Sequence, residues 1–223
     1  MATETTQRPV IDGRTARKDK NRLAVLDAVL ALFTEGDLMP APEAIAQRSG
    51  VSLRSVYRFL GATRDLVQAA IERHLERVGP LFAFEPVGEG PFAERVEEFV
   101  AARLRLYQAI APTARAAQAR TRMRPTPASE VLKESLNARR GLLRIQLSRH
   151  FATELGSLGR RADSVLAAAD GLTQIETIDW YLVDGGYTLG QTKDAIVTGL
   201  HRLLTSELPP DPDDAGHDED DGD

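Results

Sequence analysis

The sequence predicts an all-α protein of about nine helices, and three observations carry that prediction. From Phe92 to Leu208, apolar residues recur at three- and four-residue spacing with no alternating strand pattern. The same spacing runs from Leu23 to Phe33 and from Leu66 to Val78. Glycine and proline stand between these stretches, at Gly36, Gly50, Gly79-Pro80, Pro125-Thr126-Pro127, Gly156 and Gly185-Gly186. At 223 residues and 42% hydrophobic content the chain can bury the core of one large or two modest domains.

Residues 1–13 are polar, threonine-rich and without periodicity, and are expected to be a disordered arm. A basic cluster, Arg14, Arg17, Lys18, Lys20 and Arg22, opens the first helix, which is expected to stop near Gly36. Such a cluster is either a solvated helix start or a phosphate-gripping arm. Next comes Ala41 to Phe59, APEAIAQRSGVSLRSVYRF, whose punctuation predicts two short helices joined by a tight turn. Pro42 suits a first helical position, where its missing N–H costs nothing. Gly50 stands where a helix closing in left-handed geometry accepts no side chain cheaply. Val51 is expected to be buried, and Ser52 to cap the second helix. Along that helix Val56 and Phe59 share one side, Arg54 and Arg58 another. A helix pair with a glycine-containing turn and a cationic second helix is the pattern of a helix-turn-helix whose recognition helix enters a major groove.

Thr63 is expected to cap a linking helix over 63–82, ended by Gly79-Pro80, and 83–91 to be the domain boundary, with two prolines and two glycines in nine residues. In 91–208 the stripe Phe92, Val96, Phe99, Val100, Leu104 and Tyr107 predicts a helix broken at Pro112. Further helices are expected from Pro127 to Gly156, from about Asp163 to Val183, and from 189 to 207, the last opened by a capping box of Thr188 and Gln191. The tail 209–223 is expected to be disordered, either a solubilising end or a competitor for the basic arm.

Charge follows this organisation. Residues 211–223 hold eight acids and no Lys or Arg, so removing them turns the formal −5 into about +3. Within 8–64, ten Lys or Arg face six acids. The positive charge sits where the motif is. Cysteine is absent, which excludes a disulfide framework, a thiolate nucleophile and a cysteine zinc site. No Gly-rich phosphate loop, His-x3-His pair or local Ser-His-Asp context is present, so the chain is not expected to be an enzyme, and no cofactor or metal is expected. No apolar run approaches a membrane span, and a cytoplasmic protein, at the nucleoid when bound to DNA, is expected.

The ordered set Arg22-x5-Ala28-x4-Phe33-x2-Gly36, Ile45-Ala46, Gly50-Val51-Ser52, Val56-Tyr57 and Asp65-Leu66 resembles the N-terminal helix-turn-helix domain of TetR family transcriptional regulators, over roughly residues 18–72. There are departures. Pro40-Ala41-Pro42 replaces the family's threonines, Phe59-Leu60 its aromatic-Phe pair, and Thr63 stands at its lysine position with Arg64 directly after. The resemblance implies a DNA-binding domain over 14–62, a ligand-binding and dimerisation domain over 91–208, and a linking helix whose tilt responds to ligand. It implies a homodimer through the last two helices, where Ala167-Ala168-Ala169, Gly171 and Gly199 are small enough for close approach, although both helices could simply be core.

The candidate residues follow. Leu53, Arg54, Ser55 and Tyr57 are expected at base edges, Arg54 bidentate to a guanine and Leu53 on a thymine methyl. Ser52, Arg58, Thr63, Arg64, Arg17 and Lys18 are expected at phosphates, and Tyr57 could instead mainly pack. Polar or aromatic residues in the apolar helices of 91–208, Tyr107, Gln146, His150, Gln174, Thr177, Trp180 and Tyr181, are candidates for an effector pocket, the effector being an unidentified small molecule. The reading is therefore a ligand-responsive repressor that binds a palindromic double-stranded operator as a homodimer without touching a membrane. The alternative is a helical small-molecule-binding or interaction protein with a vestigial DNA-binding domain.

Overall fold

The computed structural model describes residues 13–62, 66–83, 85, 87–122 and 127–205, and every described element is helical. In order these are α1 (Gly13–Thr34), α2 (Pro42–Ser49), α3 (Leu53–Ala62), α4 (Leu66–Arg77), α5 (Phe92–Arg122), α6 (Pro127–His150), α7 (Ala152–Ser157), α8 (Ala162–Leu172), α9 (Ile175–Asp179) and α10 (Leu189–Thr205). Short 3-10 turns lie at Gly79–Phe82 and Gly159–Arg161, and a π-helical turn at Trp180–Asp184. The expected disordered arm 1–13, save Gly13, and the tail 209–223 lie outside the described residues. So does the cap expected at Thr63.

Helices fall into two compact units, one from the described residues of Met1–Ala83 and Arg105–Leu143, the other from those of Phe84–Leu104 and Arg144–Asp223. Residues 105–143, assigned from sequence to the second domain, thus group with the first unit. Ala116, Ala117 and Leu132 join its apolar cluster alongside Val25, Val29 and Phe33 of α1, Ile45 of α2, Val56 and Phe59 of α3, and Leu66, Ala70 and Ile71 of α4. The sequence marks the apolar stripe of α5 but not which neighbour covers it.

Local chemistry explains most boundaries. α1 closes through a left-handed Gly36, whose neighbours Gly36 N and Asp37 N donate to Phe33 O and Leu32 O. At the other end of the chain, Gln191 N donates to Thr188 Oγ1 at 3.2 Å and Thr188 N to Gln191 Oε1 at 2.9 Å, the expected capping box.

Three expected boundaries are corrected. Pro112 does not break the helix: α5 runs through it, with Leu106, Tyr107 and Ile110 buried before it and Ala116 and Ala117 after it. Packing on both sides offsets the lost hydrogen bond to Gln108 O. The helix from Pro127 ends at His150 rather than Gly156, because Phe151 leaves helical geometry at φ −113° while its ring is fully buried. The helix expected over 163–183 stops at Leu172. Thr173 Oγ1 donates to Ala169 O and Asp170 O, and Gln174 turns extended at ψ 153°.

Within the second unit Gly199 lies so close to α8 that a Cβ there would stand 2.6 Å from Leu172 Cδ2. Its small size therefore serves packing inside the chain. Ala167 and Ala168 face solvent, whereas Ala169 is buried.

Phe59 is 2% exposed in the first cluster, so Phe59→Ala should lower unfolding free energy by about 3–5 kcal/mol. Leu53→Ala, at the exposed first position of the same helix, should change it by no more than about 0.5 kcal/mol. Denaturant titration of the two variants measures the difference.

Candidate nucleic-acid interface

The geometry of α3 follows from the turn before it. Pro42 occupies the first turn of α2, and Ile45 N donates to Ala41 O. Gly50 ends that helix at φ 68°, ψ 14°, a left-handed conformation in which a Cβ would be strained. Val51, 8% exposed, then drops into the core, its N–H donating to Ser49 Oγ at 3.2 Å. Ser52 caps α3: its Oγ accepts from Ser55 N at 3.4 Å and its carbonyl from Ser55 N and Val56 N.

The helix that starts there has two faces. Val56 at 0% and Phe59 at 2% exposure anchor it in the apolar cluster. Leu53, Arg54, Tyr57 and Arg58, spaced one and four apart, form the exposed stripe opposite. Ser55 is half-buried, and its hydroxyl lies 3.1 Å from that of Ser52. Burying two apolar side chains thus fixes the rotation of α3 and presents one arginine pair outward.

Tyr57 does not pack: it is 52% exposed, and its hydroxyl donates to Glu43 Oε1 on α2 at 3.3 Å. The negative field of Glu43, with the hydrogen bond to it, raises the phenol above its ordinary range. The Arg58 guanidinium lies 5.5 Å from the ring centre of Phe59. Arg17, Lys18, Lys20 and Arg22 are exposed and helical in the first half of α1, so the basic cluster is part of that helix. Thr63 and Arg64 lie outside the described residues.

The residues expected at an effector pocket are found at five places. Tyr107 is in the first unit, buried, with Arg115 Nη2 donating to its hydroxyl at 2.9 Å. Gln146 and Gln174 belong to a polar group in the second unit. Arg103 Nη1 donates to Gln146 Oε1 at 3.4 Å, Gln174 Nε2 to Asp170 Oδ2 at 3.2 Å, and Arg144 pairs with the same carboxylate at 3.7 Å. Burial pushes the Arg103 guanidinium down to about 10, against the opposing pull of Asp170, and its cation sits 4.5 Å from the Phe99 ring centre. Thr177 Oγ1 donates to Gly171 O at 2.6 Å. Trp180, 53% exposed, meets Tyr181 edge to face at 5.2 Å, and Tyr181 meets Tyr187 at 5.4 Å, on the π-helical turn.

His150 is a structural member of a buried cluster. Gly88 N–H can only donate, so Nδ1 accepts at 3.0 Å; the Arg95 carbonyl can only accept, so Nε2, 3.2 Å away, carries the proton. The ring stacks on Phe99 and meets Phe151 edge-on. Arg95 Nη1 donates to His150 O at 2.6 Å, and its guanidinium pairs with Glu154. The sequence offered a signal for these missed charges. Arg95 and Arg103 fall in the apolar phase of the Phe92–Phe99 stripe, where a cation needs a buried partner.

Among the described residues no cluster of three or more His, Asp or Glu side chains could hold a metal, and no helix is long and apolar enough to cross a membrane. No family model matches the chain, and no curated protein matches it. Among solved structures it is similar to a TetR-family transcriptional regulator from Streptomyces coelicolor, at 18% identity and a TM-score of 0.49, over 88% of this chain and 94% of that one.

Burial holds His150 below the usual histidine range, aided by the Arg95 charge. Its unfolded form titrates near ~6.5, so below that pH the unfolded chain binds the extra proton first. Stability present above pH ~6.5 should therefore fall as pH drops through ~6 towards the lowered folded value. Denaturant midpoints between pH 8 and 5 should show the decline, and His150→Gln should flatten it while lowering the midpoint at pH 8.

Proposed function

We propose that this chain is a DNA-binding transcriptional regulator, a repressor that reads a palindromic operator as a homodimer and releases it on binding a small molecule. The observation that supports the reading most is the pair of faces on α3: Val56 and Phe59 in the core, with Leu53, Arg54, Tyr57 and Arg58 outward on a helix set off by a Gly50 turn. That is the arrangement a recognition helix needs in a major groove. Arg54 reads a guanine edge and Leu53 a thymine methyl, with Ser55 and Tyr57 beside them. Ser52, Arg58, Arg17 and Lys18 hold phosphates, joined by Thr63 and Arg64 after α3.

One such helix reads too few base pairs for a unique site, and a two-fold pair corrects this. The pairing surface lies on the segments from α8 to the π-helical turn and on α10. Exposed Trp180, Val183, Tyr187 and Leu189 support it, whereas Gly199 serves the chain's own packing. Effector binding in the region of 91–208 favours a pose of α4 in which two recognition helices no longer meet successive grooves. The protein acts in the cytoplasm, with no enzymatic step.

Selection of bound duplexes from a random pool tests the class. A palindromic consensus is expected, with log affinity falling against log salt by about 0.9 per phosphate contact. No enrichment and a flat salt response would point instead to a helical small-molecule-binding or interaction protein. On the selected duplex, Arg54→Ala should cost about 1–3 kcal/mol and relax one position of the consensus. Equal loss on random DNA would remove Arg54 from base reading.

A further inference from the structure

Six exposed cations of the first unit have no carboxylate within ion-pair distance among the described residues: Arg17, Lys18, Lys20 and Arg22 on α1, and Arg54 and Arg58 on α3. By contrast, Arg48 pairs with Glu35 at 3.0 Å, and Arg73 and Arg77 share Asp27 at 3.6 and 3.2 Å. Like charges without counter-charges attract polyanions. The chain carries a polyanion of its own. Residues 211–223 hold eight Asp or Glu and no Lys or Arg, and 218–221 are acidic at every position. Extended chain spaces successive residues by about 3.3–3.6 Å, close to the roughly 3.4 Å between phosphate charges along one DNA strand. α10 ends at Thr205, and 18 residues follow it. That length of chain spans up to about 60 Å, several times the radius of gyration of about 14 Å of a folded unit of some 120 residues.

We propose that residues 211–223 dock on the cationic faces of α1 and α3 and compete there with DNA. Each ion pair formed is exposed and weak. Their number and the tether carry the contact, because a segment joined by a short linker reaches an effective concentration of the order of 1 mM. An intrinsic affinity of about 0.1 mM then lowers the apparent affinity for DNA about tenfold. Salt dissolves such a contact. Docking is distinct from a shift of net charge, which removal of 211–223 would also produce, because it places the segment on one surface. The competition rests on the DNA-binding reading; the docking does not.

The chain has no cysteine, so Ala215→Cys in the full-length protein carries a single nitroxide label. At about 50 mM salt, paramagnetic broadening of amide signals should concentrate at 15–22 and 53–58, and it should vanish near 0.5 M salt. Replacing the eight acids by Asn and Gln, with the label kept, should abolish it. No broadening there, broadening centred elsewhere, or broadening that survives neutralisation overturns the docking. A variant ending at Pro210 should bind the selected operator and random duplexes about tenfold more tightly than the full chain near 50 mM salt and equally near 0.5 M, which makes its log–log salt slope steeper. A gain on truncation without broadening in the labelled chain means that net charge acts alone, and the docking is overturned. Broadening without any gain on truncation means that the segment docks but does not compete, which overturns the competition. If neither the full chain nor the truncated one selects DNA, the DNA-binding reading fails, while the broadening still decides the docking.

Discussion

Two side chains on α3 decide what the first unit can present to a partner. Val56 and Phe59 are nearly fully buried among residues of α1, α2 and α4, and a helix of 3.6 residues per turn that sinks positions 56 and 59 must raise 54, 57 and 58, while Leu53 stays exposed at its first position. The outward arginines are thus placed by apolar packing, not by their own contacts. The turn at Gly50 sets where the helix starts, and the Ser52 cap sets which residue is first. Loss of either anchor would leave the cations in the sequence and remove them from a defined surface.

This part of the chain was legible from the amino-acid sequence because its determinants are local. Pro42, Gly50, Ser52 and the Thr188–Gln191 box each act within four residues, so each can be read without knowing the neighbours. Two of the failures are cases where a distant partner overrides a local rule, and the third is a local hydroxyl contact. Pro112 is a helix breaker by itself, yet burial before and after it keeps α5 whole. Phe151 is a good helix residue by itself, yet its ring packs edge-on to Phe92 and Phe99 and its backbone follows the ring. Thr173 interrupts α8 through hydroxyl bonds that a periodicity of apolar residues does not register.

The second unit illustrates the same point with charge. The sequence places Arg95 in an apolar phase without showing its partners, and the structure makes Arg95, His150 and Glu154 the polar centre of an aromatic cluster of Phe92, Phe99 and Phe151. Each hydrogen bond there is directional, and the whole set fits one arrangement of α5, α6 and α7. Apolar contacts alone would tolerate small slides between those helices. The cluster therefore fixes which arrangement is the native one, with the histidine as a neutral joint within it.

The contact between Tyr57 and Glu43 has a meaning apart from the fold. The phenol already donates to an anion while the surface is empty, so its ring is oriented before anything arrives, and the entropy of ordering it has been spent in folding. The carboxylate occupies the place that an oxygen of an arriving polyanion would want, with the same sign of charge. On the DNA-binding reading it would act as a resident decoy. A single small anion would gain nothing by displacing it, because one hydrogen bond would be exchanged for another and two negative charges brought together. A ligand with many regularly spaced anionic groups would tolerate that one repulsion because its other contacts would be made elsewhere, so the surface would discriminate by length of ligand before it read any chemical detail.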